Sequence, residues 1–75
     1  MTLLELKIGQ QAVVVNKSID NLPLKLIEFG CLPGNSIEVV QFAPFQDPIY
    51  IKVNDAFVAI RKDVGQLIEV SPIQS

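Results

Sequence analysis

The stretch Leu26-Ile27-Glu28-Phe29-Gly30-Cys31-Leu32-Pro33-Gly34 constrains this chain more than any other. An apolar-rich run ends on Gly30, the residue type that closes a helix in the left-handed conformation. Pro33-Gly34 is a turn signal, and β-branched sequence resumes at once in Ser36-Ile37-Glu38-Val39-Val40. A short helix is therefore set into a chain that elsewhere alternates like β-sheet. The spacing predicts it over Leu22 to Phe29, with Asp20 or Asn21 as N-cap and Pro23 in the first turn, where its missing N–H costs nothing.

Around that helix the chain reads as strands. Thr2 caps a helical turn over Leu3 to Leu6, and Gly9 ends it. Gln11 to Ser18, built on Ala12-Val13-Val14-Val15, is the first strand. Ser36 to Phe42 is the second, followed by the proline-bracketed loop Ala43-Pro44-Phe45-Gln46-Asp47-Pro48. Ile49, Ile51 and Val53 alternate with Tyr50, Lys52 and Asn54, the period of a half-buried strand. Asn54-Asp55 suits the left-handed backbone of a tight hairpin, after which Val58 and Ile60 face inward while Ala59 and Arg61 point away. A turn over Lys62 to Gln66 leads to a last strand, Leu67 to Ser71, and Pro72 to Ser75 reads as a frayed tail. About five short strands joined by short connections predict a mainly β fold, an SH3-like, partly open barrel with one short inserted helix.

Composition bounds what such a fold can do. Seventy-five residues, 49% of them hydrophobic, make one small domain over 1–75 that relies on a packed core, because Cys31 is the only cysteine and no disulfide can form within the chain. An unpaired thiol fits a reducing, cytoplasmic setting. The start of the chain carries an acid inside its first apolar run and no basic region, unlike a signal peptide. The apolar runs are also far shorter than the ~20 residues a membrane span requires. Six bases against eight acids give a net charge of −2, and only Arg61-Lys62 are adjacent. That is not the basic stripe by which proteins displace phosphate counterions, so nucleic acid is not the expected partner.

The reactive side chains are few. With no histidine in the chain, the commonest base near neutral pH is missing, and the serines have nothing to activate them. Cys31 lies beside Leu32 and Pro33 and reads as a small apolar filler. Soft and borderline metals want several Cys or His ligands, and the carboxylates are dispersed singly, so neither a metal nor another cofactor is expected. What remains is apolar surface. Leu22, Leu26 and Phe29 form one helix face, while Leu24 and Ile27 form a second one. Either this second stripe is left over for a partner, or the Leu3–Leu6 segment, Phe42 and Phe45 cover it. Phe45, held between two prolines, is either presented to a partner or packed back, with Asp47 capping a turn before Pro48. The candidate partner-binding residues are Leu24, Ile27 and Phe45.

Four segments in order resemble the FeoA family of bacterial ferrous-iron uptake components. They are the opening Leu3-Leu4-Glu5-Leu6-Lys7-Ile8-Gly9, the helix exit Leu26 to Gly34, the loop Ala43 to Ile49, and the closing strands Val58-Ala59-Ile60-Arg61-Lys62 with Ile68-Glu69-Val70. Cys31, Gln46 and Gly65 depart from the pattern, Gly65 standing where alanine is usual. The resemblance implies an SH3-like barrel with an inserted helix, no enzymatic activity, and a cytoplasmic role in binding FeoB, a membrane permease with a GTP-binding domain. It leaves self-association open. It also raises two rivals. One is a metal-responsive module related to the C-terminal domain of DtxR-type repressors, and the other is a GTPase activator using Arg61 as a finger in trans.

Overall fold

The computed structural model describes residues 1–17 and 20–73. Its five strands are β1 (Gln11–Val14), β2 (Ser36–Phe42), β3 (Ile49–Val53), β4 (Ala56–Ile60) and β5 (Val70–Pro72). They form one antiparallel sheet in the order β4-β3-β2-β1-β5, so the ends of the sheet are not joined by a ladder and the barrel stays open. Helix α1 (Leu24–Glu28) lies between β1 and β2, and a one-turn helix α2 (Lys62–Gly65) lies between β4 and β5. Short 3-10 turns occupy Leu3–Glu5 and Pro44–Gln46.

One apolar core fills the concave side. Ile49, Ile51 and Val53 are buried on β3 while Tyr50 and Lys52 between them are exposed, as the alternation requires. Ala12 and Val14 of β1, Ile37 and Val39 of β2 and Val70 of β5 join them, with Leu3, Leu6 and Ile68 from outside the strands. Val40 is an extra residue in β2: Val39 pairs with Ile51 and Gln41 with Tyr50, so at this bulge Val40 and Gln41 both face outward. Cys31 is fully buried, and burial pushes its thiol up to about 11. It fills space in the core and holds its proton.

The helix exit behaves as its sequence demands. Gly30 adopts φ 97°, its N–H donates to the Ile27 carbonyl at 3.0 Å, and the Cys31 N–H donates to the Leu26 carbonyl at 2.9 Å. These two bonds make a Schellman closure, and Leu26 and Cys31 are both buried beneath it. The helix begins later than Leu22, however, because Pro23 drives the residue before it out of the helical region. Pro23 is itself the N-cap, at ψ 138°, and neither Asp20 nor Asn21 fills that role.

Three further boundaries differ from expectation for reasons of hydrogen bonding. Strand β1 stops at Val14 because Asn16 turns its side chain onto the neighbouring segment. Its Nδ2 donates to the Leu67 carbonyl and its Oδ1 accepts from the Glu69 N–H, both at 2.8 Å. The last residue of the expected strand, Ser18, lies outside the described residues. Strand β5 starts only at Val70, since the Leu67 and Ile68 N–H groups close turns onto Val64 and Gly65. Pro72, expected in a frayed tail, pairs with Ala12, and the Ile73 N–H donates to the Gln11 carbonyl at 2.9 Å. Gln74 and Ser75 lie outside the described residues.

Gly65 is buried in α2, and its N–H donates to the Arg61 carbonyl at 2.8 Å, so the turn forms despite glycine's helix penalty. A Cβ there would meet Leu4 Cδ2 at 3.0 Å, so glycine gives the Leu3–Glu5 turn room to pack against α2.

Candidate interaction surface

Exposed apolar groups, and the backbone they sit on, are the candidates for an interaction surface. Helix α1 is anchored at both ends. Leu22 and Leu26 are buried below it, and the Asn54 side chain at the β3–β4 hairpin donates to the Phe29 carbonyl at 3.4 Å. Gly30 lies so close beneath Asn54 that a Cβ would collide with Nδ2, and Asn35 Nδ2 donates to the Gly30 carbonyl at 2.7 Å. The hairpin itself turns on Asn54 and Asp55 at φ 50° and 64°, the left-handed pair expected there.

This anchoring separates the two stripes of the helix. Leu24 is 69% exposed on the outer side. Ile27, expected beside it on a free face, is instead half-buried and packed against the core. Phe29, on the expected buried face, is partly exposed at the helix end. The second stripe is thus split: Ile27 packs against the core, which includes Leu3 and Leu6, and Leu24 stays bare.

Phe45 is 98% exposed and sits at φ 65° in the 3-10 turn, a left-handed backbone that costs a bulky residue energy. One hydrogen bond closes this loop and another links it to its surroundings. The Ala43 N–H donates to the Pro48 carbonyl at 3.0 Å, Asp47-Pro48 is cis, and Asp47 Oδ1 accepts from the Lys62 N–H at 3.0 Å. Asp47 therefore caps the start of α2 rather than its own turn. Phe45 stands exposed on this loop and does not pack back.

Leu24 and Ile27 share α1, whereas Phe45 lies on the β2–β3 connection. None of the three lines the groove that the structure opens on the other side of α1. That groove, of about 200 Å³, lies between Leu26 of α1 with its C-cap Phe29 and the Val58-Ala59-Ile60 edge of β4. Its walls are apolar, but Lys25 and Arg61 also line it. Neither side chain has a hydrogen bond or ion pair among the described residues, although Asp47 lies on the far side of Arg61. The signal that could have revealed this groove is Phe57 and Ala59, apolar residues on the outward face of a strand with no charge or proline within it.

Among the described residues, no group of three or more His, Cys, Asp or Glu could hold a metal ion, and no helix is long and apolar enough to cross a membrane.

The FeoA domain matches residues 1–72. The chain belongs to the FeoA family. It is 40% identical over its whole length to the Fe(2+) transport protein A/Fe(2+) transporter FeoB fusion protein of Porphyromonas gingivalis, of which it spans 9%. The solution structure of iron(II) transport protein A from Clostridium thermocellum superposes with a TM-score of 0.86 at 36% identity, covering 97% of this chain and 46% of that one. Stenotrophomonas maltophilia FeoA complexed with zinc, described as a procaryotic SH3 domain protein, gives 0.74 at 25% identity over 95% of this chain and 89% of that one. The open five-stranded sheet with its inserted helix is thus the SH3-like fold of this ferrous iron transport family. ScaR with bound Cd2+ shares that fold at TM-score 0.78 and 23% identity, over 97% of this chain and 35% of ScaR, a likeness of fold alone.

Proposed function

We propose that this chain, as one FeoA unit over 1–75, is a non-enzymatic cytoplasmic accessory protein of ferrous iron uptake that acts by binding a FeoB-like membrane permease. The observation that carries the reading is the Porphyromonas gingivalis relative, in which a sequence 40% identical to the whole of this chain shares one polypeptide with FeoB. Fusion holds two modules at high effective concentration, which is useful where they work in contact. Two features of this chain support it: Leu24 and Phe45 are bare, and Phe45 is held in a costly backbone conformation that its own fold does not use.

The test is capture of a detergent-solubilised FeoB by the purified chain. Leu24→Asp and Phe45→Asp each remove exposed apolar contacts and leave the core intact, so capture falls while the circular dichroism spectrum is unchanged. Ile27→Asp is a poorer probe, since it drives a charge against the core. Undiminished capture by the double variant overturns the assignment of these residues, and no capture by the parent chain overturns the partner. The metal-responsive alternative predicts tight one-to-one binding in an anaerobic Fe²⁺ titration, and the GTPase-activator alternative predicts that Arg61→Ala abolishes stimulated GTP turnover.

A further inference from the structure

The two edges of the sheet are treated differently by the fold. Beside β5, the Val70 N–H donates to the Met1 carbonyl at 2.8 Å, Thr2 bridges Glu69, and the Leu3 N–H donates to the Ile68 carbonyl at 3.0 Å. That edge is covered by the start of the chain, and β5 itself ends on Pro72. At the other edge, β4 is a five-residue apolar strand, Ala56-Phe57-Val58-Ala59-Ile60, with a strand neighbour on one side only among the described residues. Uncovered edges of this kind invite another strand, and folds normally blunt them with proline, charge or a covering segment.

The register shows which backbone groups are free. Val53 pairs with Ala56 across the two-residue turn, Ile51 with Val58 and Ile49 with Ile60. The alternation of an antiparallel ladder then aims the N–H and C=O of Ala56, Val58 and Ile60 at β3, and those of Phe57 and Ala59 outward. Neither Phe57 nor Ala59 has a backbone partner elsewhere among the described residues. The groove lies along this same edge, with α1 as its opposite wall. A strand edge facing a helix across an apolar groove is the geometry of strand addition, in which main-chain hydrogen bonds supply affinity and alternate side chains enter the groove.

We propose that the β4–α1 groove receives an extended, alternating apolar and acidic segment of a partner protein, which adds to β4 as a sixth strand. Apolar side chains of that segment lie against Leu26, Phe29 and Val58, and its acids meet Lys25 and Arg61. Charge is what selects this occupant. The chain is acidic overall, yet the two cations lining its apolar groove make no ion pair among the described residues, even though Asp47 and Asp63 lie near Arg61. The inference deepens the reading of the chain as a FeoB-binding accessory protein and rests on it for the identity of the partner, but the groove can be tested alone.

The full chain, isotope-labelled, is titrated with two synthetic peptides, one alternating Val and Glu and the other alternating Val and Lys. The Phe57 and Ala59 amides exchange at least about tenfold more slowly with the Glu peptide, which also binds at least about tenfold tighter than the Lys peptide. Arg61→Glu, an exposed substitution whose fold is checked by the unchanged amide spectrum elsewhere, inverts that preference. Equal affinity for both peptides, absence of binding at saturating peptide, or protection elsewhere than at Phe57 and Ala59 overturns the proposal. Protection of those amides that rises with protein concentration alone assigns the edge to a second copy and overturns it equally. FeoB capture by the parent chain separates the two readings: capture without binding of the Glu peptide removes the groove and leaves the partner, while Glu-peptide binding without FeoB capture does the reverse.

Discussion

Replacing Phe45 by asparagine should stabilise this protein and, on the proposed reading of Phe45 as a partner contact, weaken binding of the partner, an opposite pair of effects that follows from one side chain. The ring is 98% exposed, so its removal gives up almost no buried area. A core phenylalanine would cost about 3–5 kcal/mol on truncation. The backbone at φ 65° costs an ordinary residue about 1–2 kcal/mol, and asparagine tolerates it better because its short amide bonds locally. Glycine would relieve the same strain but return about 0.5–1 kcal/mol through its freedom in the unfolded chain. Phe45→Asn should therefore gain about 0.5–1 kcal/mol, which in a domain of this size raises the melting temperature by about 2–8 °C. Urea unfolding followed by circular dichroism measures it, with the m-value unchanged because no surface is newly buried. A loss of about 2 kcal/mol or more refutes the reasoning, since it means that the ring is packed in solution and is not held out for a partner.

Gly30→Ala and Gly34→Ala form a second, internally controlled pair. Both residues have φ near 95° (97° and 94°), but only Gly30 has Asn54 where a Cβ would go. Gly34→Ala should cost the backbone term alone, about 1–2 kcal/mol, and Gly30→Ala that term plus a disturbed Asn54–Phe29 hydrogen bond, about 2–3 kcal/mol in all. Equal losses in denaturant titration would remove the close approach from the account. Cys31 gives a pH prediction. Its thiol rises from 9.0 to about 11 on folding, so the folded state keeps a proton that the unfolded state sheds, and stability falls as pH climbs between those values. The loss should reach about 1.4 kcal/mol per pH unit relative to Cys31→Ala measured in parallel, and parallel curves for the two proteins would contradict it.

The chain announces features that depend on near neighbours. The exit from α1 is legible because the Schellman closure links residues at most five apart, from Leu26 to Cys31, and needs only a glycine and an apolar pair. The hairpin is legible because Asn54-Asp55 accepts the left-handed backbone at its own positions, and β3 because its alternation is local. The features that escaped depend on distant partners. Asn16 ends β1 by reaching residues more than fifty positions on, and Asp47 caps a helix fifteen residues away. Ile27 is drawn toward the core by tertiary anchoring that helical spacing cannot express. For the site, the surplus of apolar residues around Pro23, Pro44 and Pro48 singled out Leu24 and Phe45 but left open whether each is bare or covered, which only tertiary packing decides. The groove beside β4 was not, since it exists only where α1 lies back along an edge strand thirty residues downstream.

The most direct test of the central claim, that this fold works by docking onto the iron permease, is the dissociation constant between the purified chain and FeoB in detergent or nanodiscs, measured by calorimetry with and without the Leu24→Asp/Phe45→Asp changes. The account predicts saturable one-to-one binding that the double variant weakens by at least about tenfold, or 1.4 kcal/mol, while its unfolding midpoint stays at or above that of the parent. Heat signals indistinguishable from dilution for the parent chain, or identical isotherms for parent and variant, would contradict it.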